Sequence, residues 1–394
     1  MMDCVKGVLH DDRLAVKLIG HIDSNNAAQV EAAIKELTDA NPGKGIFVDA
    51  QDLVYISSAG LRVLLRLRKN HKELEIINVS PEVYEIFDMT GFTEMMPVKK
   101  AYRKVSIEGC EVVGQGANGT IYRIDNDSIV KVYNNPDSLD DIQHEREVAK
   151  TALILGIPTA ISYDVVRVGE SYGSVFELLN AQSFSKLLAS DPAKIDWCVE
   201  EYVDLLKKIH ETLVKPGDLP DMRETVLGWA KFMKDYLPEE AYAKLDHMVN
   251  EVPHDDHMLH GDYHTKNLML QGDEVLLIDM DTLAVGHPIF ELASMFNAYI
   301  GFAELDHSIT KKFLGFDSEL AVEFWKKSLA KYLGTEDEAR NKEVEDKARI
   351  VGYVRLIRRS IRRKGLESPE GKVLIDHWMG ELLELLGQYD TLLF

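Results

Sequence analysis

The sequence predicts two units: a small α/β unit built on a mixed sheet with helices over residues 1–102, and an α+β unit of two lobes over residues 103–394. The first lobe of the larger unit should end near residue 180, and the second should be large and helical. Three observations carry this. Strand-like and helix-like patterns alternate through the first hundred residues. A glycine-rich stretch near residue 115 is followed by β-prone residues, not by a helix, and the stretch from residue 300 onward reads as all-helical. A chain of 394 residues is also too long for one ordinary small domain.

Composition narrows the function classes. The hydrophobic fraction of 45% is that of a globular protein. No window approaches 18 uninterrupted apolar residues, so no transmembrane helix is expected. The opening "MMDCVKGVLHDDRLAV" has acids where a secretory signal would have basic residues. Cys4, Cys110 and Cys198 are far apart and odd in number, which reads as reduced thiols in a cytoplasmic protein. The net charge of −21 argues against nucleic acid or an anionic membrane as partner, and −18 of it falls after residue 100, where it could attract cations.

In the first hundred residues, "RLAVKLIGHID" alternates like a half-buried strand. "NAAQVEAAIKEL" places Val30, Ala33, Ile34 and Leu37 at helical spacing, with Asp23 or Ser24 as candidate cap. "GIFVDA" reads as a strand buried on both faces, "SSAGLRVLLRLRKN" as a helix with Leu61, Leu64 and Leu65 on one face, "LEIINV" as a strand and "PEVYEIFDMTG" as a short helix. The segments "LVYISSAGLRVLLRL" and "INVSPEVYEIFDMTGF" resemble the STAS domain of bacterial anti-sigma factor antagonists. That resemblance implies a protein partner, and a serine phosphorylated at the start of the helix after the central strand, which the Gly-Leu pair aligns with Ser58. A phosphate there would meet free helix N–H groups and add about two negative charges to a docking surface. Ser57 stands where the family often has Asp, and either serine could simply cap the helix.

"VVGQGANGTIYRIDNDSIVKVY" holds Gly114, Gly116 and Gly119 in G-x-G-x-x-G spacing. A dinucleotide-binding loop would open a helix, whereas here a second β-prone segment follows a turn. A glycine loop within an antiparallel hairpin, with Lys131 on the next strand, is the arrangement of protein kinases. The lysine needs a carboxylate, and the helix "DSLDDIQHEREVAKTALILG" offers Glu145 and Glu147. Two residues apart, they diverge by roughly 200°, so at most one reaches it. Helical periodicity leans to Glu145. "SVFELLN" should lead to a hinge where Glu177 to Leu179 present backbone groups to adenine.

"HGDYHTKNLML" then packs polar chemistry against apolar residues. Phosphoryl transfer requires a carboxylate to orient the acceptor hydroxyl, and hard oxygen ligands for Mg²⁺. Asp262 and Asn267 stand at D-x-x-x-x-N spacing, and "VLLIDMD" supplies Asp279 and Asp281 after a turn, so "NLML" and "EVLLID" should be the two strands of a hairpin. The combination "HGDYHTKN…IDMD" resembles the aminoglycoside phosphotransferase and choline kinase group of small-molecule kinases, over residues 105 to about 300. The resemblance implies ATP, or GTP, as donor and a small-molecule hydroxyl as acceptor. It makes Asp262 the catalytic base or orienting carboxylate, Asn267 and Asp279 the Mg²⁺ ligands, and Asp281 a second-metal or water-mediated ligand. His260 and His264 would hold the loop. It also favours Glu147 as partner of Lys131, because "RE…LGIP" matches its spacing, and Glu147 is adopted as the expectation. In "LAVGHPIFELASMFNAY", His287 and Glu291 replace the family's usual two acids.

Two rival readings remain: a protein kinase acting on a STAS serine, and a non-catalytic nucleotide-binding module. A zinc centre in "HDDHMLHGDYH" lacks the helical His pair or Cys partners such a site needs. In "YVRLIRRSIRRKG", Arg355, Arg358, Arg359 and Arg362 form a helical stripe that either grips an anionic group or pairs with the chain's own carboxylates. It counts against a polycationic acceptor.

Overall fold

A computed structural model describes residues 4–10, 13–116 and 118–394. By its internal contacts the chain divides into two compact units, Met1–Glu108 with Val165–Gly173, and Gly109–Asp164 with Ser174–Phe394. No helix among the described residues is long and apolar enough to cross a membrane.

The first unit runs β1 (Val5–His10), β2 (Arg13–Ile22), α1 (Ala27–Asp39), β3 (Gly45–Ile56), α2 (Ser58–Asn70), β4 (Glu75–Val79), α3 (Pro81–Met89), α4 (Phe92–Met95) and β5 (Val98–Lys100). The strands lie in sequence order, with β1 antiparallel to β2 and the others parallel. This is the mixed α/β sheet expected. β1 and β5 lie outside the sequence expectation, and β3 continues past Ala50 because Leu53 and Ile56 are also buried. Its pairing with β2 absorbs that length through two register shifts. Val30 and Ile34 of α1, Leu61, Leu64 and Leu67 of α2, and Val83 and Phe87 of α3 share a core with Val16, Leu18, Val48 and Ile76 of the strands. Leu65 is only partly buried.

Helix starts were less legible. α1 is preceded by Asn26, while the Asp23 carboxylate accepts from Asn25 N–H one turn earlier. At α2, Ser57 is the cap: its Oγ accepts from Ala59 N–H at 3.2 Å. Ser58 lies in the first turn and is exposed.

The chain continues through β6 (Arg103–Lys104), β7 (Glu111–Gln115), β8 (Gly119–Arg123), β9 (Ser128–Tyr133), α5 (Leu139–Ile154), β10 (Asp164–Val168) and β11 (Ser171–Glu177). β6 pairs parallel with Val166 and Arg167 of β10, all in the first unit's share of the chain. In the second unit, β7, β8 and β9 form an antiparallel sheet. Then come β12 (Gln182–Ser183), α6 (Phe184–Ser190), α7 (Ile195–His210), α8 (Met222–Met233), α9 (Glu239–Glu251), β13 (Met258–Leu259), β14 (Leu268–Gln271), β15 (Glu274–Leu277) and β16 (Ala284–Val285). The rest is helical: α10 (Ile289–Tyr299), α11 (Ser308–Leu314), α12 (Ser318–Leu333), α13 (Glu338–Arg362) and α14 (Pro369–Gln388). Every residue of α10 is buried, so it is the central helix of the core that α7, α12 and α13 complete.

β14 and β15 form a hairpin turned by Gly272 and Asp273, with Leu268 opposite Leu277 and both buried. The polar run of residues 260–267 is therefore the loop entering that hairpin.

Candidate active site

The glycine turn joins β7 to β8. Gly116 N–H donates to the Gly119 carbonyl at 2.9 Å, and a Cβ on Gly119 would lie 2.3 Å from the Val132 carbonyl oxygen, so only glycine fits there. Ala117 lies outside the described residues. Asn118, in the same turn, donates from Nδ2 to Asp281 at 3.3 Å.

Lys131 sits opposite Ile121 in the β8–β9 pairing. Its Nζ donates to both oxygens of Glu145, at 2.9 and 3.1 Å, and to Asp279 Oδ1 at 3.2 Å. The lysine's partner is thus Glu145, which corrects the expectation of Glu147. The reason is the helix face: Ile142, Glu145, Val148, Ala149 and Ala152 form the buried stripe of α5, whereas Glu147 projects away from it, its carbonyl accepting from the Thr151 hydroxyl at 3.0 Å. Tyr133, two residues along β9 and so on the same face as Lys131, donates its hydroxyl to Glu145 at 2.6 Å, and Ser174 lies 3.2 Å from that hydroxyl. Burial opposes the lysine's charge, but Asp279 and Glu145 overcome it and hold its pKa well above the usual value. A cavity of 440 Å³ beside this cluster is lined by Asn118, Tyr133, Ser138, Glu145 and Asp281 among others.

The loop carrying Asp262 is held from below. Glu291, fully buried on α10, accepts backbone N–H groups of His260 at 2.5 Å, Gly261 at 3.0 and 3.1 Å, and Tyr263 at 3.4 Å. The Gly261 carbonyl accepts from Ser294 Oγ at 2.9 Å and Arg355 Nη1 at 3.2 Å. Gly261 has φ of 81°, and a Cβ there would lie 2.3 Å from the Thr282 carbonyl oxygen. His264 Nε2 lies 3.4 Å from Asp262 Oδ2. Burial pushes the Asp262 acid up, but His264 first, then Arg355 and His260, bring it well below the usual carboxylate range. Asp262 is therefore ionised at neutral pH and suited to orient a hydroxyl more than to store its proton.

Asn267 Nδ2 donates to the Asp262 carbonyl at 3.0 Å, leaving Oδ1 for another partner, and the Asn267 carbonyl accepts from Ile278 N–H at 2.9 Å. Asp279 follows directly, held at φ 65°, ψ 64°, a left-handed conformation that costs a non-glycine residue about 1–3 kcal/mol and concentrates at functional sites. Asp281 is pushed up to about 7, first by burial and then by Asp279. The structure thus gathers Gly119, Lys131, Asp279 and Asp281 around linked contacts, with Asp262 and Asn267 on the adjoining loop. Glu177 ends β11; the Leu178 N–H between it and Leu179 donates to the Asp127 carbonyl at 2.8 Å. Sequence reasoning missed Tyr133, Asn118 and Ser174; only the period-two relation of Tyr133 to Lys131 offered a signal.

Comparison with known proteins finds two matched regions. The model of the phosphotransferase enzyme family, APH, matches residues 109–320, and that of the STAS domain matches residues 5–105. The chain belongs to the phosphotransferase enzyme family and carries a STAS domain ahead of its kinase-like fold. BtrV of Bordetella bronchiseptica, named after the anti-sigma factor antagonists, is 38% identical over 92 residues, covering 22% of this chain and 78% of that protein. An anti-sigma-B factor antagonist of Staphylococcus epidermidis is 27% identical over 100 residues, covering 24% of this chain and 92% of its own. Among solved structures, a gentamicin complex of the aminoglycoside phosphotransferase APH(2")-IIa is 14% identical with a TM-score of 0.47, covering 76% of this chain and 95% of that one. A choline/ethanolamine kinase family protein of Mesorhizobium loti is 13% identical with a TM-score of 0.45, covering 70% and 87%.

Proposed function

We propose that this phosphotransferase moves the γ-phosphoryl group of ATP, with Mg²⁺, to the hydroxyl of a small molecule. Residues 1–102 then act as the regulatory or docking domain and residues 103–394 as the cytoplasmic kinase. The observation that carries this reading is the Lys131–Glu145–Asp279 bridge beside an ionised Asp262 on a braced loop. The donor set fits Mg²⁺. Asp279 and Asp281 place two carboxylates near one lysine, burial first and then Asp279 raise Asp281, and the Asn267 carbonyl accepts from the N–H of Ile278, the residue before Asp279, at 2.9 Å. Among the described residues no group of three or more His, Cys, Asp or Glu side chains is placed to hold a metal on its own, and Mg²⁺ characteristically takes one or two carboxylates with phosphates and water. Asn267, Asp279 and Asp281 would hold the ion, which when bound neutralises charge on the phosphates.

The chain's own residues supply the rest. Lys131, fixed by Glu145 and Tyr133, binds the α- and β-phosphates. Backbone of the turn from Gly114 through Gly116 to Gly119 closes over them, and Glu177 and Leu179 offer backbone groups to the base. Asp262 aligns the acceptor oxygen, which bonds to phosphorus as the bond to ADP breaks, and the hydroxyl proton leaves through Asp262 to water.

A second reading, a protein kinase acting on a STAS serine, is favoured by one observation: Ser57 caps α2 while Ser58 stays exposed. One experiment tests both. Mg²⁺-dependent ADP release is compared with an Asp262→Asn variant, and intact mass is recorded for each. Release that needs Asp262 and rises with a small-molecule acceptor supports the first reading. Phosphate gained at Ser58 supports the second. ADP release unchanged by the substitution removes both.

A further inference from the structure

The arginine stripe on α13 makes no direct ion pair; the acid whose charge it shares is Asp262, acted on by Arg355 and acting on Arg359. Among the described residues, none of Arg355, Arg358, Arg359, Arg362 and Arg363 has a carboxylate within ion-pairing distance, although the chain carries 66 Asp and Glu against 45 Lys and Arg. The nearby acids are engaged elsewhere: Glu304 accepts from Tyr353 and His377 and pairs with Arg349. Three of them lie instead on aromatic rings, and Arg355 also donates to the Gly261 carbonyl and Ser294 Oγ. Arg355 and Arg358 stand over Trp229, at 5.6 and 6.0 Å, and Arg359 stands over Phe302 at 4.9 Å.

This surface adjoins the catalytic carboxylate through a continuous series of contacts. His264, beside Asp262, packs edge-on against Phe313 at 5.1 Å; Phe313 meets Phe302 at 6.3 Å; and Phe302 carries Arg359. Lys266, exposed on the catalytic loop itself, stands over Phe313 at 4.9 Å. Two cations without carboxylate partners thus rest on adjoining rings beside the position an acceptor hydroxyl must take. Burial first, then the charges of Arg363 and Arg355, lowers the pKa of Arg359, and Asp262 offsets only part of that. A fixed cluster of like charges on a strongly acidic protein is stable only at a cost in repulsion, which an oxyanion would relieve by charge-assisted hydrogen bonds.

We propose that the acceptor alcohol carries its own oxyanion, a phosphate or a carboxylate, held between Arg359 and Lys266 with Arg358 and Arg362 beside it. This rests on the phosphotransferase reading above and names the acceptor class.

The test uses the full chain with ATP and Mg²⁺ and four acceptors: glycerol, glycerol 3-phosphate, glycerate and glucosamine. ADP release should favour glycerol 3-phosphate or glycerate over the other two by at least about tenfold in kcat/KM, and the two anions separate the phosphate from the carboxylate source. Arg359→Gln and Lys266→Gln should each raise KM for the anion roughly tenfold to hundredfold with kcat nearly unchanged, and Arg359→Lys should recover part of the loss. Preference for glycerol or glucosamine overturns the inference, as does an unchanged KM in both variants. If no acceptor turns over, calorimetry with inorganic phosphate decides: binding weakened in Arg359→Gln sustains the anion site, the phosphotransferase reading being judged separately by the Asp262→Asn comparison, and binding of equal strength in both proteins, or none, overturns the site.

Discussion

Replacing Glu291 by Gln keeps the shape of the side chain and removes its charge. The carboxylate is fully buried and accepts three N–H groups of one loop, from His260, Gly261 and Tyr263. An amide presents one acceptor oxygen and one NH₂ group, so at least one backbone N–H must face another donor. An unmet buried donor costs about 1–3 kcal/mol, and the charge assistance lost from the remaining bonds costs a comparable amount. The expected destabilisation is about 3 kcal/mol, or a melting temperature lower by roughly 6–12 °C in a unit of this size. All four tryptophans, Trp197, Trp229, Trp325 and Trp378, lie in the second unit, so tryptophan fluorescence follows its unfolding alone. The effect also has a pH signature. Burial pushes the Glu291 acid up, but the His210 side chain and the Gly261 N–H outweigh it, so the folded value lies below the usual one. Its stabilisation is complete above the unfolded value of about 4.3 and is lost as pH falls through the folded value, so the gap between wild type and variant should close in acid. A variant within about 0.5 kcal/mol of wild type at pH 7 would refute the claim that this carboxylate holds the loop of residues 260–267.

Three further expectations follow from particular contacts. Glu145→Gln should lower kcat/KM about a hundredfold by releasing Lys131, while Glu147→Gln should leave it within about twofold; steady-state ADP release separates them. Gly119→Ala should raise KM for ATP about tenfold or more, because its Cβ would meet the Val132 carbonyl at 2.3 Å; an unchanged KM would show that the turn can shift at no cost. Ser57→Ala should cost the first unit about 1 kcal/mol through loss of the α2 cap, read as roughly fivefold faster amide exchange at Ala59, whereas Ser58→Ala should cost almost nothing.

The sequence by itself determined the elements and the spacing of the chemistry. Alternating and helical patterns over ten or more residues depend on which face of one element is apolar, so the strands and helices of residues 13–90 and the β14–β15 hairpin were legible. The D-x-x-x-x-N spacing from Asp262 to Asn267 was legible too, because a short loop fixes it locally. Tertiary structure decided what depends on contacts between distant residues. β1 and β5 exist because β2 and β4 offer them edges. Glu145, not Glu147, reaches Lys131 because the packing of α5 turns that face inward. The arginines of α13 showed only a helical spacing in sequence; whether acids or aromatic rings lie beneath them was set by α8 and by the Phe302–Phe313 pair. A side chain's own position in the chain fixes the face it occupies, but its partner across the fold is chosen only when the cores close.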